Sequence, residues 1–233
     1  MVRVKICGTT NEEDVDLCVR LGVDALGFVV EYPIPVPWNL KVEQAGKLME
    51  RVPPFVSRVC VVGDDYEKVL EIATVLRPDA IQLHGNETLD ETKQLIAAIK
   101  ALKIKVIKAV RFSSETDRVV SEVDDPVKLC TTLQMMGVDA IVLDAATGSM
   151  PGGTGRKINW HLAATITKSL SLPVILAGGL NPENLCEAIS RVRPYAVDVL
   201  SGVELSPGEK DPAKVRDLLY CHRSLKTFST PVH

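Results

Sequence analysis

Short apolar runs alternate with amphipathic stretches along the whole chain. The runs are VRVKIC (2–7), DALGFVV (24–30), VSRVCVV (56–62), AIQLH (80–84), IKVIKAV (104–110), DAIVLD (139–144), PVILAG (173–178) and AVDVL (196–200). They are near-continuous in Val, Ile, Ala and Leu, the pattern of strands buried on both faces of a parallel sheet. Between them, segments such as Glu12–Leu21, Glu67–Leu76, Glu91–Leu102, Trp160–Leu170, Glu183–Arg191 and Pro212–His222 carry apolar residues at helical spacing. Alternation of this kind predicts parallel βαβ units. Eight units in about 220 residues predict an α/β fold with a single (β/α)8 barrel over 1–223, followed by a tail at 224–233. No GxGxxG follows the first run, which argues against an open dinucleotide-binding sheet. Thr10 or Asn11 is placed to cap the first helix, with Glu12, Glu13 and Asp14 in its opening turn. Asn181-Pro182 is placed to start another.

In such barrels the chemistry sits where strands end. Those ends carry Cys7-Gly8, Tyr32-Pro33, Gln82 to Gly85, Arg111, Asp144, Gly178-Gly179 and Ser201-Gly202. Paired glycines let backbone N–H groups approach an anion, and a following helix adds a favourable dipole. The turns at Gly178-Gly179, running to Asn181, and at Ser201-Gly202 are therefore the expected phosphate site. A third glycine stretch, PGGTG (151–155) with Gly153, is placed to complete it or to close over it. A carboxylate at a buried strand end is costly unless it is used or paired. Asp144 thus reads as a general acid and Cys7 as its partner base, while a loop cap and an inert filler remain the bland readings. Lys5 lies two residues from Cys7 on the same strand face, where its ammonium would favour the thiolate. His84 is placed to bind a hydroxyl or to satisfy its loop. Asp198 alternates with Val197 and Val199, facing the barrel interior near the phosphate turn.

Composition narrows the partners. The chain has 233 residues, 46% of them hydrophobic, a formal net charge of -3 and only 4% aromatic residues. That gives no electrostatic footprint for nucleic acid. No apolar run approaches the roughly 20 residues of a membrane span. Met1 leads directly into Val-Arg-Val-Lys without the apolar core of a signal peptide, so a cytoplasmic location and reduced thiols are expected. The six cysteines form no CxxC pair, and the four histidines show no ligand spacing, so no metal is expected. The expected partner is a small phosphorylated substrate, handled by a monomer or homodimer.

Several of these stretches recur together in one family. KICG (5–8), GFV (27–29), PPF before a valine-rich strand (53–62), QLHG (82–85), LD (143–144), GGTG (152–155), LAGGLNPEN (176–184) and AVDVLSGVE with PGEKD (196–211) stand in that order. Over residues 2 to 220 the chain resembles phosphoribosylanthranilate isomerase. The resemblance implies a (β/α)8 barrel of tryptophan biosynthesis that performs an Amadori rearrangement without metal or organic cofactor. It implies Cys7 as base, Asp144 as acid and phosphate held around Gly179, Asn181, Ser201 and Gly202. Gln82, His84 and Asp198 would then line the sugar.

The chain also departs from that pattern. The family carries a Ser-x-Arg element after strand 2, whose arginine meets the anthranilate carboxylate; here the segment reads EYPIPVPWNL (31–40). A bidentate donor is replaced by proline-stiffened apolar chain. Arg111 or Arg156 is a candidate substitute, and Trp38 is placed to stack on an aromatic ring instead. Leu200 stands where a serine is common. Two further readings stay open: an isomerase of another ribose 5-phosphate conjugate, and a noncatalytic phosphosugar-binding barrel.

Overall fold

The eight apolar runs form eight parallel strands: β1 (Arg3–Ile6), β2 (Ala25–Val30), β3 (Ser57–Val62), β4 (Ala80–Leu83), β5 (Lys105–Ser113), β6 (Ala140–Ala146), β7 (Val174–Leu176) and β8 (Ala196–Val199). The computed structural model describes residues 2–113, 116, 118–146 and 158–224. Each strand pairs with its sequence neighbours, and β1 pairs with both β2 and β8, which closes the sheet into a barrel. The helices α1 (Glu12–Leu21), α2 (Val42–Glu50), α3 (Tyr66–Leu76), α4 (Leu89–Ala101), α5 (Pro126–Met136), α6 (Trp160–Ser169), α7 (Leu185–Val192) and α8 (Pro212–Ser224) follow the strands in order. A two-residue strand, Asn39–Leu40, extends β2, and a short hairpin joins Glu204–Ser206 to Glu209–Lys210. None of the described helices is long and apolar enough to cross a membrane.

Side chains alternate across each strand, so every strand feeds two cores. The outer one, between sheet and helices, holds Val4, Ile6, Leu26, Phe28, Ile81, Ile141 and Leu143 among others. The inner one is a narrow plug of Ala25, Val59, Ala80, Ile107, Ala109, Ala140, Val142, Ile175, Ala177 and Ala196. Small residues dominate because the strands converge on one axis. The same alternation carries Gln82, His84, Arg111, Asp144 and Asp198 inward above that plug, with Lys5 and Cys7 on the inner face of β1. Tertiary closure thus gathers residues from five strands onto one face.

Several boundaries differ from expectation. Strand β5 runs on to Ser113 and β6 to Ala146, while β7 stops at Leu176. Helices α2 and α5 complete the alternation; α2 carries Gly46 in its interior, which weakens its helical signal. Asn11 is the cap of α1, its Oδ1 accepting from the Asp14 N–H. Asn181 does not open a helix: α7 begins at Leu185, after a separate turn. Cys7, Cys18, Cys60 and Cys130 are free thiols. Cys186 on α7 is disulfide-bonded, against the expectation of reduced thiols. That contact depends on which elements meet in space, and sequence spacing does not record it.

Candidate active site

At the C-terminal mouth of the barrel a cavity is lined by Cys7, Gln82, His84, Asp144, Asp198 and the turns Gly178 to Leu180 and Leu200 to Gly202, with Val29, Tyr32, Val36, Trp38 and Val61 on its far wall. Beneath it, register sets Lys5 opposite Asp198. Lys5 Nζ donates to Asp198 Oδ2 at 2.7 Å, and both side chains are buried. The Lys5 ammonium also acts on the Cys7 thiol beside it. Both groups fit only because residue 27 is glycine: a Cβ there would lie 2.7 Å from Cys7 Sγ and 2.9 Å from Lys5 Nζ.

Burial opposes the charge on Lys5, but Asp198 and Cys7 outweigh it and hold its pKa above the ordinary lysine value. Burial likewise pushes the Cys7 thiol up. Lys5 pulls it down, as the sequence suggests, yet burial is the larger effect and Asp198 adds to it. The resting thiol is therefore protonated at neutral pH.

Across the cavity, Asp144 Oδ1 accepts from the Ala145 N–H at 2.8 Å, and Oδ2 lies 3.6 Å from His84 Nε2. Burial, reinforced by the negative charge of Asp198, pushes the Asp144 carboxyl up to about 7. It is poised to give or take a proton near neutrality. Gln82 Nε2 sits 3.3 Å from His84 Nδ1. With the Gln82 amide donating there, the histidine proton resides on Nε2, toward Asp144. Tyr32 Oη donates to the His84 carbonyl at 2.9 Å, fixing that loop. Gln82 Oε1 and Asp198 Oδ1 are buried without a hydrogen-bond partner. Such atoms are costly to leave unpaired, and a ligand's hydroxyls would satisfy them.

At the other end two turns meet. Gly178 and Gly179 have φ of +79° and +63°, the left-handed region that favours glycine. A Cβ on Gly202 would lie 1.9 Å from the Leu180 carbonyl oxygen, so only glycine permits this approach. Asn181 does not reach the cavity. Its N–H donates to Asn184 Oδ1 and its own Oδ1 accepts from the N–H groups of Glu183 and Asn184. Asn184 Nδ2 in turn holds the Gly179 carbonyl at 2.8 Å.

Arg111 is also turned away. Its Nη2 donates to the Gly85 carbonyl at 3.0 Å and to Asn86 Oδ1, and it lines a neighbouring hollow beside Lys108. Gly153 and Arg156 lie outside the described residues. No group of three His, Cys, Asp or Glu side chains comes together as a metal site among the described residues.

With this geometry in place, the sequence matches the family described as N-(5′-phosphoribosyl)anthranilate (PRA) isomerase over residues 4–220. The chain belongs to this family. A relative from Methanopyrus kandleri, named N-(5′-phosphoribosyl)anthranilate isomerase, is 41% identical over 97% of this chain and 100% of its own. The crystal structure of phosphoribosyl anthranilate isomerase from Thermotoga maritima superposes with a TM-score of 0.78 at 37% identity, covering 96% of this chain and 100% of that one. A second phosphoribosyl anthranilate isomerase structure, in complex with reduced 1-(o-carboxyphenylamino)-1-deoxyribulose 5-phosphate, gives 0.75 at 36% identity over the same shares.

Within this isomerase fold, sequence reasoning named Tyr32 and Trp38 but missed Val29, Val36 and Val61 on the far wall of the cavity. Val29 and Val61 share their inward phase with Gly27 and Val59, so strand parity could have found them. Glu204 carried no such signal. Its Oε1 accepts from Trp38 Nε1 at 2.7 Å and from Lys210 Nζ at 2.8 Å, an arrangement that joins the loop after β2 to the hairpin after β8.

Proposed function

We propose that this chain converts N-(5′-phosphoribosyl)anthranilate to 1-(2-carboxyphenylamino)-1-deoxyribulose 5-phosphate in tryptophan biosynthesis, with residues 1–223 as one catalytic barrel. The observation that carries the assignment of roles is the pairing of a buried carboxyl poised near 7, Asp144, with a thiol beside a buried lysine, Cys7, across one cavity. Asp144 protonates the ribose ring oxygen. The bond from that oxygen to C1′ breaks as the anilino nitrogen's lone pair forms a C1′=N iminium. Cys7, as thiolate, removes the C2′ proton, and the C–H electron pair becomes the C1′=C2′ bond while the iminium electrons return to nitrogen. The enolamine then loses its C2′ hydroxyl proton and gains one at C1′, giving the ketone. Atoms and electrons balance without any external redox partner.

The unpartnered Gln82 Oε1 and Asp198 Oδ1, with His84, suit the ribose hydroxyls. The glycine turns at 178–179 and 201–202 suit the phosphate. The test is turnover of freshly generated phosphoribosylanthranilate, followed by loss of its fluorescence, for wild type, Cys7→Ala and Asp144→Asn. Wild-type turnover that falls by about 10² to 10⁴ in each variant is expected for two proton-transfer groups. A folded variant retaining wild-type rate would remove that residue from the mechanism.

A further inference from the structure

The cavity has three chemically different parts. One end is backbone and glycine at 178–180 and 201–202, and the centre is the polar group Cys7, Gln82, His84, Asp144 and Asp198. The remaining wall, over β1, β2 and β3, is apolar: Val29, Tyr32, Val36, Trp38, Val61 and Leu200. In the ring of strands β3, at one edge of this wall, stands opposite β7, whose turn forms part of the glycine end, while Leu200 joins the wall to the other turn. A ligand with its phosphate at the glycine end and its hydroxyls on the polar centre has this apolar wall left for its other substituent.

Trp38 is the largest member of that wall, and it is held in place. Its indole N–H donates to Glu204 Oε1, which Lys210 Nζ and the Gly208 N–H also bind. Its ring edge lies so close over Gly8 that a Cβ there would be 2.8 Å from Trp38 Cδ1. The hydrogen bond and this packing leave a rigid aromatic surface facing the cavity. Cations nearby are engaged elsewhere: Lys5 on Asp198, Lys210 on Glu204, and Arg111 on the Gly85 carbonyl. No cationic side chain lines the cavity among the described residues.

Resting on the isomerase reading, we infer that Trp38 and its wall select the aglycone as a flat aromatic amine, by apolar and ring contact, with no charge reading of its carboxylate from the described residues. The accepted substrate class is then N-(5′-phosphoribosyl) arylamines, carboxylated or not. An aromatic contact of this kind contributes about tenfold to binding beyond buried area. A charge-assisted bond to the carboxylate would contribute roughly 10- to 200-fold.

The experiment compares two conjugates, made in situ by condensing ribose 5-phosphate with anthranilate or with aniline, on wild type, Trp38→Phe and Trp38→Ala. Ribose 5-phosphate serves as a competitive probe of the phosphate half. The inference expects kcat/KM for the aniline conjugate within about tenfold of that for the anthranilate conjugate. It also expects Trp38→Ala to raise KM for both conjugates by the same factor of about ten, Trp38→Phe to restore most of it, and inhibition by ribose 5-phosphate to stay unchanged. Turnover of the anthranilate conjugate with a larger than tenfold loss for the aniline conjugate overturns the inference and leaves the isomerase reading intact. Absence of turnover for both conjugates by a folded wild type overturns the isomerase reading itself.

Discussion

Asp144→Asn tests the electrostatics of the site through stability as well as rate. An aspartyl carboxyl ordinarily titrates at 3.8, and here it sits at about 7. The folded protein therefore binds that proton more tightly than the unfolded chain does. The stabilisation from the protonated carboxyl is fully present below about pH 4 and is lost as pH rises through about 7. A gap of about 3 pH units at roughly 1.4 kcal/mol each makes the buried carboxylate cost about 4 kcal/mol at pH 8. Asparagine does not titrate, and its Oδ1 keeps the Ala145 N–H bond. The variant's stability relative to wild type is therefore expected to rise by about 3 kcal/mol between pH 5 and pH 8, and to level off above that. Paired urea denaturation curves at pH 5, 6.5 and 8 measure it. A stability difference that is flat with pH, within about 0.5 kcal/mol, would refute the raised carboxyl and with it the general-acid argument. The same variant would be slower and more stable at pH 8, a trade expected where a strained group serves catalysis.

Other consequences can be measured separately. Because the acid titrates at about 7 and burial holds the thiol above its ordinary 9.0, the form with Asp144 protonated and Cys7 ionised is no more than about 1% of the free enzyme. The pH profile of kcat/KM should rise toward 7, stay level and fall only on an alkaline limb; an optimum below pH 6 would contradict this ordering. Gly202→Ala would drive a methyl into the Leu180 carbonyl, so a cost of about 1–3 kcal/mol and a KM roughly tenfold higher are expected, read from urea curves and initial rates. Glu204→Gln would leave Lys210 buried without its carboxylate, at a cost of about 3 kcal/mol; unchanged denaturation would show that this pair contributes nothing.

The order of strands and helices was legible in the sequence because burial on both faces leaves a local mark, short continuous runs of Val, Ile, Leu and Ala. The residues proposed for the proton chemistry were legible for the same reason: Cys7 and Asp144 stand where an apolar run ends, and the glycines mark turns that only glycine can make. What the sequence could not contain is distance. Asn181 has the right identity for a phosphate turn, but its polar groups close on Asn184. Arg111 has the right charge, but the loop after β4 captures it. Lys5 has the right effect on Cys7, yet burial outweighs it. The raised Asp144 carboxyl likewise needs the closed barrel, which removes water and brings Asp198 near. Trp38 gains its place only when Gly8 and the hairpin carrying Glu204 and Lys210 converge on it from opposite ends of the chain. Local patterning determines which segments are buried, because transfer from water acts residue by residue. Closure of the barrel decides which charges meet, because electrostatic and packing energies depend on separations that no stretch of sequence fixes alone.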